Sequence, residues 1–143
     1  MSILKVIGYT FLFIIFSPGL ILTFWAGDKG YIMSEQTNYL SMFIHLFMFS
    51  TVVVALEEKK YLDKGANSEL TEIDTKNIPP VVAILLFFLL TPGLIFTIPP
   101  EGSLLFSKET SVIAVLLHSL VFILLFVVLT RFINKNRSYF VTQ

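Results

Sequence analysis

Two imidazoles, His45 and His118, are the side chains of this 143-residue sequence best suited to chemistry. Each stands near the middle of an apolar stretch that holds no Asp, Glu, Lys or Arg. That placement admits three roles. Facing one another, the rings could ligate haem iron or another metal. In series they could pass a proton, although no buried carboxylate is available to continue the path. As neutral rings they could bond a backbone carbonyl, which is worth roughly 0.6–2 kcal/mol inside a membrane. Counting along the chain favours the last. Pro18 lies nine residues before the end of its charge-free stretch, and His45 lies nine after the start of the next; Pro92 and His118 each lie eight from theirs. Antiparallel neighbours would bring proline and histidine to one level, with Ser17 and Thr91 beside them. Contacts of the rings with other chains or lipid are the remaining use.

Other catalytic patterns are missing. The sequence has no Walker loop, G-x-S-x-G, H-E-x-x-H or dinucleotide fingerprint. With no cysteine there are no thiolate metal sites or disulfides. Gly27-Asp28-Lys29-Gly30 is too short for a phosphate loop and reads as a turn. The expectation is a protein that is not an enzyme, with no catalytic residue, cofactor or metal.

The elements that must position the histidines are membrane helices. The composition is 55% hydrophobic and 14% charged, too apolar for an ordinary soluble domain. Four charge-free stretches, Val6–Gly27, Gln36–Leu56, Asn77–Pro100 and Thr110–Thr130, are 22, 21, 24 and 21 residues long. About 20 helical residues cross a hydrocarbon core. Backbone groups in lipid must be satisfied within the segment, which selects helices over open strands. The first stretch resembles a signal peptide, but its match to an internal one argues against cleavage.

That match is a repeat. Ser17-Pro18-Gly19-Leu20 returns 74 positions on as Thr91-Pro92-Gly93-Leu94. The expected fold is an all-α membrane protein: four transmembrane helices as two tandem hairpins inserted with the same polarity, with Pro-Gly kinks in helices one and three. Residues 1–56 form the first hairpin, 57–78 a polar connector, and 79–143 the second hairpin with a basic tail. Helix one is expected over Leu4–Phe24, helix two over Thr37–Leu56, helix three to about Ile98, and helix four over Thr110–Phe132. A kink or helix end is expected at Ser17 and Thr91, whose hydroxyls can bond back to the Phe13 and Phe87 carbonyls. Hydroxyls of Ser34–Thr37 and Ser107–Thr110 are the expected helix caps. Trp25, Tyr31 and Tyr39 suit an interfacial aromatic belt.

Eight of the ten Lys and Arg fall on the side that holds the termini and connector, which puts that side in the cytoplasm. Zero net charge gives no reason to expect nucleic acid. Glu57–Lys76 and Arg131–Gln143 are the candidate docking surfaces for other proteins, with homo-oligomerisation a further expectation.

The pattern S/T-P-G-L, a short loop, and a histidine within the next helix resembles that of small uncharacterised plant two-span membrane proteins. Similar hairpins occur among predicted membrane proteins of large DNA viruses of algae and protists. The matching residues are Ser17-Pro18-Gly19-Leu20, Gln36-Thr37 and His45, then Thr91-Pro92-Gly93-Leu94, Glu109-Thr110-Ser111 and His118. Here the hairpin is doubled, and Glu109 replaces glutamine. The resemblance implies a fold and brings no activity. The expected function is structural, in a membrane-containing assembly such as a virion with an internal membrane. A small transporter or channel, or a bis-histidine haem or metal protein, is the alternative.

Overall fold

The computed structural model describes residues 3–24, 30–62, 78–101 and 103–141. Four helices dominate: α1 (Ile3–Phe16), α2 (Tyr39–Leu62), α3 (Ile78–Leu90) and α4 (Val112–Val141). They adjoin in the cyclic order α1, α2, α3, α4. A small antiparallel hairpin, β1 (Phe96–Glu101) and β2 (Ser103–Leu105), joins α3 to α4.

Helices α1 and α3 are shorter than the sequence suggests. They do not kink at Pro18 and Pro92; they end at Phe16 and Leu90. The residue before a proline is held out of the helical region. The glycine after it completes the stop, because Gly19 and Gly93 have φ of +91° and +84°. With 14 and 13 residues, these helices are about 20 Å long. Beyond each stop the described residues pair as extended antiparallel segments. Leu22 pairs with Ile32 in the first half, and Phe96 with Leu105 in the second.

Two helical segments, Tyr39–Glu57 and Val112–Lys135, are long and apolar enough to cross a membrane. The caps also differ from expectation. The Asn38 side chain accepts from Ser41 N at 2.7 Å, and Ser111 Oγ accepts from Ala114 N at 3.2 Å. The hydroxyls of Ser34 and Ser107 instead pair with Thr23 and Thr97.

The core is a column of phenylalanine. Phe13, Phe49, Phe87, Phe122 and Phe126 are fully buried. Phe49 stacks on Phe87 with centroids 4.3 Å apart, and Phe13 meets Phe122 at 4.9 Å and Phe87 at 5.6 Å. Polar groups enter this core at one end. Glu57, expected to begin a solvated connector, is buried within α2, which continues to Leu62. Lys5 Nζ and Tyr9 Oη donate to its carboxylate at 2.9 and 2.6 Å. Burial with two donors removes Glu57 from the proposed docking surface, because a buried carboxylate is tolerated only when it is paired. Residues 63–77 of the connector, Trp25 of the aromatic belt and the last two residues of the tail lie outside the described residues.

Candidate functional site

The residues singled out in the sequence meet where α1 and α3 stop. A helix end leaves carbonyls without intrahelical donors. At the end of α1, Ser17 Oγ donates to Phe13 O at 2.7 Å, and His45 Nδ1 lies 2.8 Å from Phe16 O. At the end of α3, Thr91 Oγ1 donates to Phe87 O at 2.6 Å, and His118 Nδ1 lies 2.7 Å from Leu90 O. A carbonyl only accepts, so each Nδ1 carries the proton. Each histidine is therefore a cap supplied to one helix by the next, at the negative end of its dipole.

The two rings differ at Nε2. Ile98 N donates to His118 Nε2 at 3.1 Å, so both ring nitrogens of His118 are engaged within the chain. His45 Nε2 is buried without a partner among the described residues. The cause is one side chain. Phe24, the counterpart of Ile98, donates its amide to Ser41 Oγ at 3.1 Å, whereas Ala114 occupies the place of Ser41 in the second half and cannot accept. Ser41→Ala should accordingly cost less than about 0.5 kcal/mol, although a buried hydroxyl is lost, because the Phe24 amide can turn to His45 Nε2. Leaving the amide orphaned would instead cost roughly 1–3 kcal/mol. Unfolding in mixed micelles distinguishes these values, and the ¹⁵N shift of Nε2 reports the new bond.

This arrangement suits holding backbone more than binding a metal. His118 offers no free nitrogen, and the described residues hold no group of three or more His, Cys, Asp or Glu that could hold a metal. The pairing of histidine with a helix-end carbonyl is traceable to the sequence count. The absence of a partner for His45 Nε2 is not, although the Ser41/Ala114 difference was its signal.

Sequence reasoning missed a second feature, a seam between the two halves. Glu35 N donates to Gly19 O at 3.2 Å, and Lys108 N donates to Gly93 O at 3.1 Å, each within its own half. Then the halves exchange. Thr37 N donates to Lys108 O at 2.8 Å, and Thr110 N donates to Glu35 O at 2.9 Å, so that Gln36 and Glu109 face each other as an antiparallel pair. A Cβ on Gly19 would strike the Thr110 methyl and come within 2.8 Å of Gln36 O. A Cβ on Gly93 would strike the Thr37 methyl and come within 2.7 Å of Glu109 O. The φ values agree as well: Met33 and Glu35 stand at +47° and +54°, Phe106 and Lys108 at +51° and +56°. Side-chain-bearing residues reach this region only where surrounding contacts hold them. Each of these two loops thus donates to the other and accepts from it at equivalent positions.

No curated protein and no solved structure matches the chain. A family model described as a protein of unknown function (DUF3339) matches residues 75–136, a range that takes in α3, the hairpin and most of α4.

Proposed function

We propose that the chain is a non-catalytic integral membrane protein with a structural role in a membrane-containing assembly. The observation that carries the membrane part is an inverted polarity. Phe43, Phe47 and Val54 of α2, and Leu116, Leu120, Leu124 and Val128 of α4, are exposed, while Ser17, Ser41, His45, Thr91, His118 and Thr130 are buried. An apolar surface this extensive is costly in water and is at rest in lipid. In this reading α2 and α4 span the bilayer. The four runs of the sequence correspond to two spans and two partial helices completed by hairpins, all still arranged as two repeats of the same polarity. Non-helical backbone at membrane depth is tolerated when protein covers it, as the seam does at Gly19 and Gly93; the exposed hairpins beyond, with Ile32, Met33 and all of β2, fall at the membrane surface in this reading.

The phenylalanine-filled centre favours a structural part over a hydrated transport path, and the engagement of both His118 nitrogens weighs against haem. The resemblance to viral and plant hairpins makes a particle with an internal membrane the assembly to examine, with residues 58–76 and 131–143 as the surfaces for partners. The excess of Lys and Arg on that side supports a cytoplasmic orientation for it.

The protein should stay with membranes through an alkaline carbonate wash and leave them only with detergent. Recovery as a detergent-free soluble monomer would overturn the reading. In sealed vesicles, cleavage within 58–76 from the luminal side alone would overturn the orientation. Purified assemblies that lack the chain would overturn the structural role.

A further inference from the structure

We infer that the seam is a self-recognition surface: the second hairpin, once parted from the first, pairs with another copy of itself about the same axis. The proposal rests on the geometry of the exchange and holds whatever assembly the full chain serves.

The backbone hydrogen bonds that cross the seam occur twice, at equivalent positions; the Lys108 ammonium over the Tyr39 ring does not, since Glu35 and Val112 stand at the equivalent places. The crossing hydrogen bonds join backbone to backbone, so they do not depend on residue type. The groups that fill the glycine cradles are methyls of Thr37 and Thr110, the same residue at equivalent positions. The ring pairs Phe49–Phe87, stacked, and Phe13–Phe122, tilted by 32°, occupy positions that exchange when the halves are exchanged. If a second copy of 78–141 stood in place of the first hairpin, Lys108 O would replace Glu35 O, Thr110 would replace Thr37, and Phe87 and Phe122 would replace Phe13 and Phe49. The chemistry at each point is retained. An isolated half, by contrast, leaves Thr110 N and Lys108 O open to lipid, where an unsatisfied backbone group costs several kcal/mol.

The native pairing should win while the chain is intact. Tyr9 packs edge-on against Phe126 at 5.3 Å and donates to Glu57. Its equivalent is Ala83, so a pair of second hairpins lacks both contacts. Two Glu109 carboxylates would also stand opposite one another, a destabilising arrangement. Homodimers of the half are therefore expected only after separation.

Position 109 gives a sharp test. Gln36 and Glu109 form the pair without mutual hydrogen bonds, in which Cα atoms lie about 4.5 Å apart, within disulfide range. In a pair of second hairpins, residue 109 meets itself. The chain has no cysteine, so introduced thiols report alone. The full chain carrying Glu109→Cys and a protease site at 66–70 is purified in mild detergent and cleaved. Its halves are parted in harsher detergent, and the second half is returned to mild detergent and gently oxidised. A disulfide-linked dimer of the second half, in most of the material, is expected. Leu120→Cys, on the exposed face of α4, should give little. A second half that stays monomeric, folded or not, overturns the proposal, as does equal linking from positions 109 and 120. The uncut chain with Gln36→Cys and Glu109→Cys should close one internal disulfide without dimerising. If it does not close, the seam itself is wrong and the proposal falls with it.

Discussion

Gly19→Ala is expected to cost about 2–5 kcal/mol of bundle stability, and Gly93→Ala about as much. Two penalties add at each position. A side chain held at a φ of +91° or +84° pays roughly 1–2 kcal/mol. The new methyl also strikes a threonine methyl of the opposite half and a backbone carbonyl of its own half, and overpacking of this kind costs typically 1–3 kcal/mol. Gln36 and Glu109 each lie between the two residues whose backbone groups cross the seam, so these carbonyls have little room to retreat. Gly8→Ala is the control: it lies inside α1, and a Cβ there meets nothing within 4 Å, so the change should be neutral or mildly stabilising. Thr110→Ser removes the methyl that Gly19→Ala strikes, and should recover part of that loss but none of the loss from Gly93→Ala. Unfolding in mixed micelles reads all of these. Equal costs for Gly8→Ala and Gly19→Ala would show that the seam is not packed as described.

His118→Leu should cost about 2–4 kcal/mol, and His45→Leu about 1 kcal/mol. Removing His118 leaves two backbone groups, Leu90 O and Ile98 N, without partners. Each orphaned group costs about 1–3 kcal/mol when buried, and less where it is partly exposed. Removing His45 leaves one carbonyl, Phe16 O, and also deletes a buried nitrogen that has no partner among the described residues. The second change offsets part of the first. The ranking, His118 above His45, is the result to measure; the reverse order would mean that His45 Nε2 serves a purpose beyond the described residues.

Much of this was open to inspection in the chain itself, and the limits are physical. Four apolar stretches are visible because lipid-compatible helices need unbroken runs, and four helices occur. Ser17-Pro18-Gly19 signals an interruption, since proline lacks a donor and crowds the preceding turn. Whether the chain then resumes its helix or reverses depends on Gly19 taking a positive φ, and glycine permits either. The spans drawn to Phe24 and Ile98 are for that reason too long. The hairpins were invisible because Leu22, Ile32, Phe96 and Leu105 are as apolar as helical neighbours, so no change of composition marks them. The seam was hidden for a different reason. Glu35, Gln36, Lys108 and Glu109 read as ordinary loop residues, and what they contribute is backbone, which carries no side-chain signature. The level shared by proline and histidine could be counted, but the orphaned nitrogen of His45 required knowing that Ser41 takes the Phe24 amide.

One asymmetry noted above reaches into the history of such a molecule. Equivalent places hold Tyr9 and Ala83, Ser41 and Ala114, Glu57 and Thr130. In a dimer of identical subunits any substitution is inherited by both sides at once, so an ionic latch on a single flank cannot evolve. Tandem fusion lifts that coupling. Here the central exchange is reciprocal while the periphery differs, and the Lys5–Glu57–Tyr9 cluster has no counterpart, because Pro79, Thr130 and Ala83 stand at the equivalent places.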